Sequence, residues 1–178
     1  MRTVIFVGLI GLSVIHPALG VPAMAAGALQ DAVAPSRSGG TGEVTTKRDQ
    51  FTGKTAVVLR SMDLGGHVSL FALTSPNGDH VSVSLVVLGQ TSEFRGCHPI
   101  SWKINGQLQS GPPTQHDSQV TDRGVTETIK QEIPVALFRR LSAAQTLMVR
   151  LCTRDIEVTG EQVGMLKKFG EAAGIKYR

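Results

Sequence analysis

The chain has 178 residues, with 18 Lys and Arg against 14 Asp and Glu, a formal charge of +4 and only 4% aromatic residues. That length accommodates one domain with extra segments. The mild positive charge falls far short of the dense basic patch of a nucleic-acid binder, which excludes that class.

Met1-Arg2 forms a minimal positive region, and Val4 to Ile15 (VIFVGLIGLSVI) is an apolar run too short to span a bilayer core. Pro17 and Pro22 break any helix, and Ala23-Met24-Ala25 fits the small-x-small cleavage rule, with Ala18-Leu19-Gly20 as the competing site. The expectation is a signal peptide over residues 1–25 and a periplasmic or secreted product without a transmembrane segment after cleavage; an uncleaved anchor is the alternative. Removing Arg2 leaves 17 − 14 = +3. Residues 26–50 contain PSRSGGTGEVTTKRD, rich in Gly, Ser and Thr and without apolar period, which predicts a flexible linker. A single exported domain is then expected over 51–178, beginning near Phe51.

From Thr55 the pattern turns to strand. TAVVLRSM and HVSLFALTS are followed by the turn Ser75-Pro76-Asn77-Gly78-Asp79. HVSVSLVVL then alternates, with Val81, Val83, Leu85 and Val87 on one face, which predicts a hairpin with the preceding strand. Residues 89–96 read as loop, CHPISWKI as strand and Asn105-Gly106 as turn. Residues 109–124 (QSGPPTQHDSQVTDRG) read as a long polar loop, and VTETIKQEI as strand, with Val125, Ile129 and Ile133 sharing parity.

Pro134 suits a first helical position, with Leu137, Phe138, Leu141 and Ala144 at helical spacing and Arg139, Arg140 and Ser142 facing water. TLMVRLCTRDIEVT, residues 146–159, reads as two short strands. Thr159 and Gln162 make a capping box for a last helix whose buried stripe is Val163, Leu166, Phe169 and Ala173, ended by Gly174. The fold class is therefore α+β: a predominantly antiparallel sheet of about six to eight strands carrying two amphipathic helices and one disulfide.

The disulfide is Cys97–Cys152, favoured because an exported chain with two cysteines tends to pair them. It would close a 55-residue separation (152 − 97), clamping sheet to sheet, worth ~4 kcal/mol as an upper figure. Two other readings are a Cys97-His98 metal site and a thiol nucleophile with a histidine base, but no CxxC or HxxxH spacing supports a metal, and no cofactor is implied. Cys152, next to Leu151 on a strand, could simply be buried.

His98, His116, Asp117 and Trp102 form a candidate polar site. A histidine beside a carboxylate is general-base chemistry when the geometry allows it, and a solvated loop histidine otherwise. His67 and His80 flank the hairpin and would make an adventitious metal pair only if they met across it. There is no G-x-S-x-G, S-x-x-K, Walker loop or H-E-x-x-H, so no catalytic residue is assigned, and Gly-Gly-Thr-Gly at 39–42 lacks the preceding strand a nucleotide loop needs. Arg139, Arg140, Arg150, Arg154, Lys167 and Lys168 are either ordinary surface pairs with Asp155, Glu157 and Glu161 or a cationic face.

These residues favour a non-enzymatic periplasmic or secreted domain that binds another macromolecule, a protein or an anionic envelope component, as an accessory, adaptor or inhibitor. The alternatives are a small exported hydrolase or thiol/redox enzyme using Cys97, His98 or His116 with Asp117, and a small-ligand carrier with a cavity of roughly 300 Å³ or more.

Overall fold

The computed structural model describes residues 42–48, 50–75 and 78–177. The expected leader and most of the expected linker lie outside the described residues. The described residues form ten strands and two helices in the order β1 (Glu43–Arg48), β2 (Thr55–Gly65), β3 (Val68–Thr74), β4 (His80–Gly89), β5 (Ile100–Ile104), β6 (Gln107–Ser110), β7 (Thr114–Thr121), β8 (Gly124–Pro134), α1 (Val135–Ser142), β9 (Leu147–Leu151), β10 (Arg154–Val158) and α2 (Gly160–Ala172). They make a six-stranded sheet in the order β1-β2-β3-β4-β8-β7 and a four-stranded sheet in the order β10-β9-β5-β6, antiparallel throughout.

The α+β class and the disulfide are as expected, but the strand count is higher. The three additional strands β1, β6 and β7 are polar and lie at sheet edges. An edge strand exposed on both faces needs no apolar alternation, so periodicity misses it. β1 falls within the span expected as linker, so the sheet starts at Glu43 rather than near Phe51. Most of the expected polar loop 109–124 is β7 and its hairpin turn to β8.

The core lies between the inward faces of the two sheets. Val81, Val83, Leu85 and Val87 of β4 are all buried, as the alternation requires, and pair through β8 with Ile129 and Ile133. β2 holds Leu59 and Met62 both at 0% exposure, a spacing that strict alternation forbids. A bulge between them, with Ser61 at φ +46°, restores the inward direction. Val58, Phe71, Leu73, Val86 and Leu88 belong to the opposite face and stand outside the core cluster.

The helices close the core. Pro134 is the N-cap of α1 rather than its first residue, and it also ends β8 opposite His80. Phe138 and Leu141 are buried, and Phe138 meets Phe169 of α2 edge-on with ring centroids 5.4 Å apart. Ser142 does not face water: it is 1% exposed, and its hydroxyl reaches the Phe138 carbonyl oxygen and the Tyr177 hydroxyl. α2 carries the expected capping box, with the Gln162 amide on Thr159 Oγ1 and the Thr159 amide on Gln162 Oε1. Val163, Leu166 and Phe169 form its buried side.

Candidate functional site

Two polar residues sit at inward positions of β8. Between Val125, Ile129 and Ile133 the alternation turns Glu127 and Gln131 toward the core, where they are 2% and 1% exposed. A carboxylate and a carboxamide taken out of water need partners, and both have them.

Glu127 is the centre of the site. Its oxygens accept from Ser92 Oγ at 2.6 Å, from the Glu93 amide at 2.7 Å and from the Phe94 amide at 3.0 Å. His116 Nε2, from the neighbouring strand β7, lies 2.9 Å from Glu127 Oε1. Burial works against the charged carboxylate and is the largest single influence, but the Ser92 hydroxyl, Glu93 amide, His116 and Phe94 amide together outweigh it and hold Glu127 below the usual carboxylate range. Their sum is a clamp: one buried anion gathers the turn at 92–94 onto the end of the six-stranded sheet.

His98 completes the cluster. Its ring stacks on His116 with centroids 5.4 Å apart and planes 11° from parallel. Its Nδ1 lies 2.9 Å from Thr114 Oγ1, which in turn donates to the His98 carbonyl oxygen at 2.9 Å. The structure thus brings together two of the expected polar-site residues, His98 and His116. It separates Asp117, which has the opposite parity on β7 and is exposed on the other face. Glu127, eleven residues along the chain from His116, takes the carboxylate place assigned to Asp117. The signal for it was present in the parity of Val125 and Ile129.

Trp102 of β5 takes part in the second polar contact of β8, with Gln131. On β5 it is 1% exposed, and its indole Nε1 donates to Gln131 Oε1 at 2.9 Å, while Gln131 Nε2 donates to the carbonyls of Pro112 (2.7 Å) and Ile100 (3.2 Å). A Cβ at Gly111 would run into the Gln131 carboxamide, which explains a glycine there.

Cys97 and Cys152 are bonded, with Cα atoms 5.8 Å apart. The bond does not clamp one sheet to the other. Cys97 ends the crossover from β4, and Cys152 lies in the turn between β9 and β10, at φ +56° and half-exposed rather than on a strand. The disulfide therefore anchors the far end of the segment whose near end Glu127 holds, and the Cys152 amide donates to the Pro99 carbonyl at 3.1 Å beside it.

The cluster lacks the order that nucleophilic catalysis needs. The Ser92 hydroxyl donates to Glu127 and not to the imidazole, so the acid stands between serine and histidine instead of behind the histidine. Both sulfurs are in the disulfide, and no group of three or more metal-ligating side chains occurs among the described residues. His67 and His80 lie at opposite ends of the β3–β4 hairpin, since Val68 pairs with Val87 and Thr74 with Val81.

The basic residues disperse. Arg150 binds Asp155 through Nε and Nη2 at 2.5 and 2.8 Å, Arg154 donates to the Gly66 carbonyl at 3.0 Å, and Arg140 donates to Gln109 at 3.1 Å. Arg139, Lys167 and Lys168 are exposed on the two helices. A cleft of about 260 Å³ lies near Thr55, Thr74, His80, Val135 and Ile175, smaller than a carrier site of about 300 Å³ or more. No described helix is long and apolar enough to cross a membrane. No protein-family model, curated protein or solved structure matches the chain.

Proposed function

We propose that this chain is a non-enzymatic domain, periplasmic or secreted, that binds another macromolecule. The observation that carries the reading is the outward face of the six-stranded sheet, where exposed Leu88 and half-buried Val58, Phe71 and Leu73 lie apart from the core around buried Val86, beside Ser84, Thr126 and Thr128. Apolar side chains of adjacent strands left partly exposed on an outer sheet face favour an interaction surface. Ser92, His116 and Glu127 are engaged in holding the 92–94 turn, which supports binding over turnover. Arg140, Arg150 and Arg154 already bond within the chain, which favours a protein partner over an anionic polymer.

The test is affinity capture from the native cell envelope by the oxidised chain, beside Phe71→Asp and His116→Ala variants. Binding should survive His116→Ala and fall at least tenfold with Phe71→Asp. A hydrolytic or redox activity abolished by His116→Ala or Glu127→Gln would overturn the proposal in favour of an exported enzyme.

A further inference from the structure

Among the described residues four strands end the two sheets, and three of them are managed. β1 packs against α2 and carries Lys47 and Arg48. β10 packs against β2, with Arg154 reaching the Gly66 carbonyl. β6 is only four residues long. β7 is different: eight residues with no proline, no lysine and no bulge, paired on one side only among the described residues. Natural sheets blunt such an edge, because its unpaired N–H and C=O groups template another strand.

Hairpin geometry tells which groups those are. Thr121 pairs with Gly124 across the two-residue turn Asp122-Arg123, so these two exchange both backbone hydrogen bonds. Alternation then turns Gln115, Asp117 and Gln119 toward β8, and leaves the amides and carbonyls of His116, Ser118 and Val120 pointing away from the sheet. Val120 adds an exposed apolar side chain, 84% accessible, on the same strand.

We propose that β7 pairs antiparallel with β7 of a second copy of this chain about a two-fold axis at Ser118, joining two six-stranded sheets into one. In this register Ser118 faces Ser118, His116 faces Val120 of the second copy, and each of these pairs exchanges two backbone hydrogen bonds. Asp117 faces Gln119, and Gln115 faces Thr121. Centring on Asp117 instead would oppose two carboxylates, which is unfavourable. Centring on His116 would set Pro112, which has no N–H, against Val120. The Ser118 register gives the longest overlap free of both faults. The contact is self-complementary, whereas β7 carries a single charge with which to select a foreign peptide. It also sets two copies of the outward face side by side.

The experiment is sedimentation velocity on the full chain with its disulfide intact, over a concentration series, with two variants. Ser118→Pro removes an N–H that does not bond to β8, so the monomer fold is kept. It should sediment as a monomer where the parent sediments at twice the mass. Ser118→Cys should form a symmetric intermolecular disulfide on a non-reducing gel, and Gln115→Cys, at opposite ends of the paired strands, should not. A parent chain that stays monomeric throughout, a Ser118→Pro variant that still dimerises, or equal cross-linking from Gln115→Cys each overturns the pairing. Capture of a foreign partner through Phe71 is read separately and stands or falls on its own.

Discussion

Trp102 of the four-stranded sheet and Gln131 of the six-stranded sheet meet across the core through a 2.9 Å indole-to-carboxamide hydrogen bond, both side chains 1% exposed. Because the Gln131 amide also serves the Ile100 and Pro112 carbonyls, one side chain ties β8 to β5 and to the segment leading into β7. Gln131→Leu strands the indole N–H and uncovers both carbonyls. It should lower unfolding stability by about 2–4 kcal/mol, since each buried group left without a partner costs about 1–3 kcal/mol. Trp102→Phe, which removes the donor and keeps most of the ring, should cost less. Urea denaturation of the two variants checks the order.

Glu127 makes stability depend on acid. Its folded pKa lies below the ordinary 4.5, so the folded state binds the proton more weakly than the unfolded state does. The stabilisation is complete above about pH 4.5 and is lost as pH falls through the depressed folded value. Glu127→Gln keeps the shape and removes the charge-assisted acceptor. It should cost about 1–3 kcal/mol at neutral pH and flatten the acid limb of a stability–pH profile. An unchanged acid limb would show that Glu127 is not its source.

The disulfide acts on the unfolded chain more than on the sheets. Closing the 55-residue separation is worth about 4 kcal/mol at most by chain entropy. The double variant Cys97→Ser, Cys152→Ser should lose up to that amount and keep its far-ultraviolet circular dichroism near neutral pH. Protection against amide exchange should fall first around residues 95–99, where Glu127 no longer has a covalent anchor at the far end.

Gly170 of α2 marks a close approach. A Cβ there would meet the Tyr177 hydroxyl and, at 3.3 Å, the ring of Phe138. Gly170→Ala should therefore destabilise by about 1–3 kcal/mol despite alanine's better helix propensity, because overpacking outweighs it. Pairing it with Tyr177→Ala should recover part of the loss if the hydroxyl is the obstacle. Thermal melts of the single and double variants measure the recovery.

Local chemistry was legible where the chain speaks in a fixed period. The β3–β4 hairpin followed from its alternation, α2 from Thr159 and Gln162, and the Cys97–Cys152 pairing from the presence of only two cysteines in a chain read as exported. Each of these depends on neighbours within a few residues or on simple counting. The role of Glu127 was not legible, because its partners Ser92, Glu93 and Phe94 lie 33 to 35 residues away. Gln131 likewise finds Trp102 at a separation of 29 residues. A polar residue at an inward strand position signals that some partner exists, but only the folded chain chooses which.

The same distinction separates strands with two sheet neighbours from strands with one. β4, buried on its core face and paired on both sides, must carry an apolar residue at every second position, Val81, Val83, Leu85 and Val87. β7 turns only the polar Thr114 and His116 toward the interior and, among the described residues, is paired on one side, so nothing obliges its sequence to differ from a polar loop. The amino-acid order by itself settled the α+β class, both helices and the strands that bury apolar side chains, because solvent exclusion imposes a period on them. The edges, the His116–Glu127 clamp and the place of the disulfide were decided by tertiary structure alone, because they arise from contacts between segments that have no periodic relation to one another.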